Sequence, residues 1–503
     1  MRWLSAVSAA RPLLVGTALL VSACGPSSQA GPACDPACAP GLSCVDGVCT
    51  TDTGPCNPGD VESCYTGPTG TAGVGVCQAG SHTCSASGVW GNCDGQVVPG
   101  GEVCGNGADD NCNGSVDEDV DSDGDGFTTC GGDCCDSTGD GCQNPAAVNP
   151  GAFEVAGNQV DDDCDGMVDN ATAANCDTGL TSNSSDPMDY ARAMELCQMA
   201  TGDKWGVVSA QLVLPSGSGA PNADQRSIRP NFGGTAVESG QSFVVLSTGH
   251  AASTGQVNPS FAAFQGGQDL GGSSTMPSDW LAANGGTLPN APGCPAPNGG
   301  TTAHDPVMLE LKIRVPTNAK SFRMSTNFFS AEYPEWVCSA FNDFFVVLLD
   351  STWNGTPANP ADKNLAVYTS PTMQQYPVGV NLAYGNTGLF TVCENGDTGC
   401  ATTSGAVPGT INTCVSTAEL IGTGMDTANP APQFASDPGY CGANNLAGGG
   451  TGWLVTQGNV VGGEEITLRI ALWDTSDGWY DSVALIDNFQ WSLDASDPGT
   501  VVN

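Results

Sequence analysis

VMLELKIRV, residues 307–315, sets apolar Val307, Leu309, Leu311, Ile313 and Val315 against Met308, Glu310, Lys312 and Arg314. Side chains of a strand point alternately to opposite faces, so this period of two predicts a half-buried β-strand. Ile466, Leu468, Ile470 and Leu472 repeat the pattern, and Val483, Leu485, Phe489 and Trp491 carry it around Asp487. SFVVLST (242–248) and FFVVLL (344–349) are continuously apolar and suit strands covered on both faces. Long Gly-rich connections between such strands imply an antiparallel sandwich or jelly-roll-like domain. One helix is expected: Asp186 caps, Pro187 fills the first turn, and Tyr190, Met194 and Cys197 follow at helical spacing towards Gly202.

Upstream the texture changes. From Ala33 to Val103 cysteines recur among Gly, Pro and Thr with almost no apolar periodicity, as in ACDPACAPGLSCVDGVC (33–49). A segment of this kind buries too little apolar surface to order itself, so disulfides must constrain it. Sixteen cysteines lie between Cys34 and Cys164 and eight between Cys176 and Cys441, both even numbers, as pairing in an oxidising compartment requires. The disulfide candidates from the acidic block onward are Cys104, Cys112, Cys130, Cys134, Cys135, Cys142, Cys164, Cys176, Cys197, Cys294, Cys338, Cys393, Cys400, Cys414 and Cys441. Zinc is disfavoured, because the chain has three histidines and no pair of CxxC motifs.

Acidic residues number 53 against 12 Lys plus Arg, which repels nucleic acid and attracts divalent cations. Residues 102–170 hold 18 of those carboxylates and an internal repeat. GNGADDNCNGSVD (105–117) returns as GNQVDDDCDGMVD (157–169). The first copy offers Asp109, Asn111 and Asn113 before Gly114, and the second Asp161, Asp163 and Asp165 before Gly166. Asp121, Asp123 and Asp125 precede Gly126 between them. All three fit Asp-x-[Asp/Asn]-x-[Asp/Asn]-Gly, the first half of a calcium loop, in which oxygens two residues apart converge on the ion. Asp117 and Asp169 fall at the ninth position, where a further oxygen is expected; Val120, Gly132 and Thr172 stand where an EF-hand has its bidentate Glu. Hard carboxylates favour calcium over copper, with an affinity of ~10⁻⁴ to 10⁻³ M.

At the amino end, a short apolar run from Pro12 to Val21 leads to LVSAC, with Cys24 after small residues. About ten apolar residues are too few to span a bilayer core that needs ~20, so this reads as a signal peptide. The pattern resembles the bacterial lipobox, which implies cleavage before an acylated Cys24 and a lipid anchor in the outer membrane or at the cell surface. The block that includes CYTGP (64–68), WGNC (90–93), CGNGADDNCNG (104–114) and DDDCDG (161–166) resembles the metal-binding repeats of secreted myxobacterial proteins, some of them named for copper. SFVVLSTGHA (242–251), FFSAEYPEWVCSAFNDFFVVLL (328–349) and ITLRIALWDTSDGWYDSVALIDNF (466–489) resemble the choice-of-anchor L domain of bacterial surface proteins, which implies an extracellular, non-catalytic module.

The expected organisation is therefore a signal peptide (1–23), a tether (24–32), a cysteine-rich region (33–101), an acidic metal-binding region (102–170), a β domain (171–495) and a tail (496–503). The whole is mainly β, with a disulfide- and calcium-stabilised, loop-rich N-terminal region acting as a stalk for the sandwich. Glu332, Glu335, Asp343, Asp474, Asp477 and Asp481 flank Tyr333, Trp336, Trp473, Trp479 and Tyr480, as in a second calcium site beside an aromatic shelf for a glycan or protein ligand. The same residues suit a packed sandwich end. Two carboxylates near aromatics, Glu332 and Glu335, also suit a glycosidase, but no HExxH, GxSxG or phosphate-cradling loop is present. The functional expectation is a calcium-stabilised binding or adhesion lipoprotein, not an enzyme, with a secreted carbohydrate-active hydrolase or a copper- or calcium-sequestering surface protein as alternatives.

Overall fold

The computed structural model describes residues 56–138, 142–170, 176–264, 269–297, 300–385, 387–410, 413–427, 441 and 448–503, and the backbone of two paired strands, Leu42–Val45 and Val48–Thr51. The signal peptide, Cys24, the tether and most of the run 33–49 lie outside the described residues. The chain divides into two compact units, Met1–Glu118 and Asp119–Asn503, and this division falls inside the acidic region.

In the first unit, Val61–Cys64 pairs antiparallel with Gly80–Thr83. Disulfides join Cys56 to Cys84, Cys64 to Cys93 and Cys77 to Cys112. Among the described residues the only buried apolar side chains of this unit are Cys77, Cys84 and Cys112, whereas Val61, Val89, Val98 and Val103 face solvent. Cross-links thus stand where a larger domain has a core, because a segment this small and polar cannot offset its chain entropy by apolar burial.

The second unit is a two-sheet β-sandwich. Its strands are β1 (Gly206–Val213), β2 (Arg226–Arg229), β3 (Phe243–Ser247), β4 (Ser273–Thr275), β5 (Thr302–Arg314), β6 (Ser321–Ser330), β7 (Phe344–Asp350), β8 (Gly449–Gly450), β9 (Leu454–Asn459), β10 (Glu465–Thr475), β11 (Ser482–Ser492) and β12 (Gly499–Val502). One sheet runs β4-β5-β10-β7, with β1 also on β5; the other runs β12-β9-β6-β11-β3-β2, with β8 also on β6. Every pairing is antiparallel. The alternating residues Val307, Leu309, Leu311 and Ile313 meet Ile466, Leu468, Ile470 and Leu472 in one core with Phe322, Phe328 and Ile486 of the opposite sheet. Disulfides Cys176–Cys197, Cys294–Cys338, Cys393–Cys414 and Cys400–Cys441 tie the connections.

The two apolar runs are covered on both faces, as their continuity predicts. Phe345, Val347 and Leu349 enter the central core, while Phe344, Val346 and Leu348 join Trp280, Met308 and Trp473 in a second cluster on the outer face. Val244 and Leu246 likewise face inward, while Phe243 and Val245 pack outward with Phe232, Phe264 and Phe329.

Three expectations need correction. Met308 is not on a polar face, because a second short helix, α2 (Ser278–Ala283), lays the buried Trp280 in the cluster that covers it. The first helix, α1, is shorter than its spacing suggests: Asp186 caps it through the Met188 amide at 3.0 Å, but it spans only Pro187–Arg192, and Glu195 turns to a left-handed φ of 62°. Finally, Val483 and Leu485 do not share a face with Phe489 and Trp491. The β6–β11 register shifts between Asp487 and Gln490, where Asn488 has a φ of 54°, and a one-residue bulge of this kind sends the following side chains to the other face.

Candidate metal centre

Each acidic loop uses its first aspartate as a hub. Asp109 accepts the amides of Asn113 at 3.1 Å and Gly114 at 2.9 Å, and Asp161 accepts those of Asp165 at 3.1 Å and Gly166 at 2.9 Å. In the central loop Asp121 accepts Gly124 at 2.7 Å and Gly126 at 3.1 Å. At the third and fifth positions each side-chain oxygen accepts the amide two residues on, as Asp123 does from Asp125 at 3.1 Å and Asp125 from Phe127 at 2.8 Å. This succession of side-chain-to-amide turns curls the backbone of each loop tightly. Gly114, Gly126 and Gly166 have φ of 99°, 96° and 90°, a conformation that disfavours a Cβ.

The outer loops match in finer detail. Cys112 and Cys164 both take left-handed φ, 59° and 54°, and both are cross-linked, to Cys77 and Cys134 respectively. Asp117 and Asp169 are left-handed too, at 50° and 53°. Their carboxylates accept amides from the entry turn, Asn106 and Gly107 on Asp117, and Gly157 and Gln159 on Asp169. They therefore clasp the base of each loop.

The oxygen missing from the twelfth position has an upstream counterpart. Glu102 accepts the Asn111 and Asp117 amides, and Glu154, at the matching place in the second copy, accepts the Asp162 amide at 2.7 Å and the Asp163 amide at 3.2 Å. Glu154, Asp161 and Asp163 bring carboxylate oxygens within 4.8 Å of one another, as do Asp121, Asp123 and Asp125. That span is about twice a calcium–oxygen distance of ~2.4 Å. Sequence reasoning missed the two glutamates, although the repeat shows them when extended upstream: EVCGN (102–106) and EVAGN (154–158). Burial, reinforced by neighbouring carboxylates, raises the pKa of Asp123, Asp163 and Glu154, a repulsion that a cation would relieve.

Residues 99–118 and 143–170 match the family model Cu-binding MopE, described as a "putative metal-binding motif". The chain carries a metal-binding motif. The two matched stretches are the outer copies with their upstream glutamates; the central loop lies between them. No curated protein and no solved structure matches the chain. The polar side chains in the two matched stretches offer carboxylate and amide oxygens. Cys104, Cys112, Cys130, Cys134, Cys135, Cys142 and Cys164 are all disulfide-bonded.

The second candidate site occupies one end of the sandwich. Glu332, Asp343, Asp474 and Asp481 are buried, and so are Glu335 and Asp305. Asp343 accepts the Thr475 amide at 3.3 Å and the Ser482 hydroxyl at 2.7 Å. Neither oxygen of Asp481 has a hydrogen bond, and those of Asp474 lie beside the Thr248 hydroxyl without meeting hydrogen-bond geometry. Burial first, then mutual repulsion, drives Glu332, Asp343, Asp474 and Asp481 well above the ordinary carboxylate range; burial also raises Asp477. Glu332, Trp336, Phe341, Asp477, Trp479 and Tyr480 line a cavity of about 90 Å³. A cleft of this size admits a few waters or one substituent of a ligand in its interior. Tyr333 and Trp473 are buried and stand apart from this lining, Tyr333 against Phe390 and Trp473 against Trp280 and Phe344.

A further carboxylate group had no signal in sequence spacing. Burial lifts Glu195 to about 8, helped by the charge of Asp487, and Asp487 itself to about 6. Asp177 accepts the Ser242 amide at 2.7 Å beside them. A Cβ on Gly240, at a left-handed φ of 61°, would lie 2.4 Å from Glu195 Oε1 and 2.7 Å from Asp177 Oδ2, so a side chain there would displace both carboxylates. The Cys176–Cys197 disulfide and the bulge at Asn488, whose amide Glu195 accepts at 2.9 Å, bring these distant residues together.

Proposed function

We propose that this protein is a surface lipoprotein, anchored through Cys24, whose acidic loops bind calcium and thereby order the segment next to a non-catalytic binding or adhesion sandwich. The observation that carries the reading is the shared turn geometry of the three loops, with hard carboxylate oxygens gathered within 4.8 Å of one another in the central and third loops and no free thiol among the cysteines of the acidic segment. Within the second unit the acidic segment is fastened to the turn between β5 and β6. Asn149 donates to Asp125 at 2.8 Å and accepts from Thr317 at 2.7 Å, and Asn318 bonds both the amide and the carbonyl of Phe153 at 3.0 Å. Cation binding would thus stiffen a clasp on the sandwich as well as the loop itself. The ligand class is an extracellular glycan or protein that engages the aromatic cleft by a side group.

The test is thermal unfolding and limited proteolysis of the oxidised full-length protein with and without millimolar calcium. The folded state should gain about 1.4 kcal/mol when calcium stands tenfold above Kd. Asp161→Ala with Asp163→Ala should remove part of that gain, and Asp121→Ala with Asp123→Ala another part. Unchanged melting and protease resistance would overturn the calcium reading. The name of the matched motif favours copper as a second reading. In the first unit His82, stacked on Trp90 at 4.2 Å, supplies an imidazole outside the loops. Tight copper binding that is lost in His82→Ala and insensitive to the aspartate variants would select it. For the anchor, Cys24→Ala should shift the protein from washed envelopes to the soluble fraction, and retention in the envelope would count against lipidation. Release of sugar from labelled polysaccharides, abolished by Glu332→Gln, would establish a hydrolase instead.

A further inference from the structure

The central loop differs from its neighbours in having carboxylates on two sides of one residue. Asp121, Asp123 and Asp125 gather on the loop's inside, and Asp123, Asp133 and Asp136 form a second group, each with oxygens within 4.8 Å of one another. Asp123 belongs to both. Asp133 is 7% exposed, yet its Oδ2 has no hydrogen bond; only its Oδ1 is used, by the Cys135 amide at 2.9 Å. Asp123 Oδ2 is likewise buried and unbonded. Asp136 is held in place by the Ser122 amide and, at 2.7 Å, the Ser122 hydroxyl.

We propose that the central loop is a two-cation site in which the Asp123 carboxylate bridges one divalent ion held by Asp121 and Asp125 and a second held by Asp133 and Asp136.

This rests on the calcium reading of the loops and adds a position that the matched motif does not cover, since residues 119–142 lie between its two stretches. Charge supports the count. One divalent ion among these five carboxylates leaves a formal charge of −3 around a buried oxygen, whereas two leave −1, and low-dielectric surroundings magnify the difference. The frame for the second ion is covalent. Asp133 and Asp136 bracket Cys134 and Cys135, which are bonded to Cys164 and Cys142. The Asp133 amide bonds the Thr128 carbonyl at 3.1 Å. Little ordering is therefore left for the ion to impose, which favours binding. All five residues offer hard carboxylate oxygens, so calcium fits better than a soft metal.

Equilibrium dialysis of the oxidised full-length protein against radioactive calcium counts the ions at saturation. The parent should bind one more calcium than it has acidic loops, and Asp133→Asn should bind one fewer than the parent. Asp133→Asn keeps the shape of the side chain, and peptide mapping of the Cys134–Cys164 bond shows whether the fold survives; Asp136→Asn gives the same count by an independent route. If one ion used all five carboxylates, Asp133→Asn would weaken binding and leave the saturated count unchanged, which overturns the proposal while the loop reading stands. If the parent binds no calcium, both fall together.

Discussion

The acidic loops and the carboxylate end of the sandwich pose the same problem, crowded negative groups, and answer it differently. In the loops each first aspartate receives two backbone amides, and in the central and third loops carboxylate oxygens gather within 4.8 Å of one another. At the sandwich end Asp481 receives none, and its neighbours Asp343 and Asp305 add repulsion instead of relief. The difference teaches that acidic density alone has no single meaning. A carboxylate beside other carboxylates in a tight surface turn offers its oxygens to a cation, whereas one sealed among apolar strands is prepared to hold a proton.

The largest way to break this comparison is pH. A carboxyl whose folded pKa lies above its unfolded value binds its proton more tightly in the folded state. Its contribution is complete below the unfolded pKa of ~4 and disappears as pH rises through the folded value. In chelator, stability should therefore fall steadily as Asp487 titrates near 6 and Glu195 near 8, and fall further as Glu332, Asp343, Asp474 and Asp481 are forced to ionise. Each tenfold preference for protonation is worth about 1.4 kcal/mol, so several groups together can dominate the stability of a domain. Denaturant midpoints measured from pH 5 to about pH 9 would show it, and a flat profile would mean that these carboxyls are not protonated when the protein folds.

Next in size is the covalent frame of the third loop. Replacing Cys134 and Cys164 together by serine should cost about 2–4 kcal/mol, because the 30-residue link no longer restricts the unfolded chain. Hydrogen exchange should show the loss concentrated between residues 119 and 170. Uniform loss across the sandwich would contradict the idea that this segment has its own scaffold. The smallest effect belongs to the clasp. Asn149→Ala removes the bond to Asp125 and leaves Thr317 without its acceptor, at a cost of about 1–3 kcal/mol. Calcium affinity of the central loop should fall with it, and an unchanged affinity would uncouple loop from sandwich.

Residue pattern alone determined the local chemistry. The period of two in 307–315, the two-sided burial of 344–349 and the loop geometry at Asp109, Asp121 and Asp161 all follow from interactions within a few residues of chain, which spacing records faithfully. Only the tertiary structure decided what depends on distant partners. Met308 became core because Trp280 covers it, Val483 and Phe489 parted faces because of a bulge at Asn488, and the helix after Asp186 stopped where Glu195 turns back to the Asn488 amide. Asp133 joined Asp123, and Asp177 joined Glu195 and Asp487, through disulfides and strand pairing that no spacing encodes. A carboxylate's neighbours in sequence show that it is acidic; its neighbours in space decide whether it holds a proton, an amide or a metal ion.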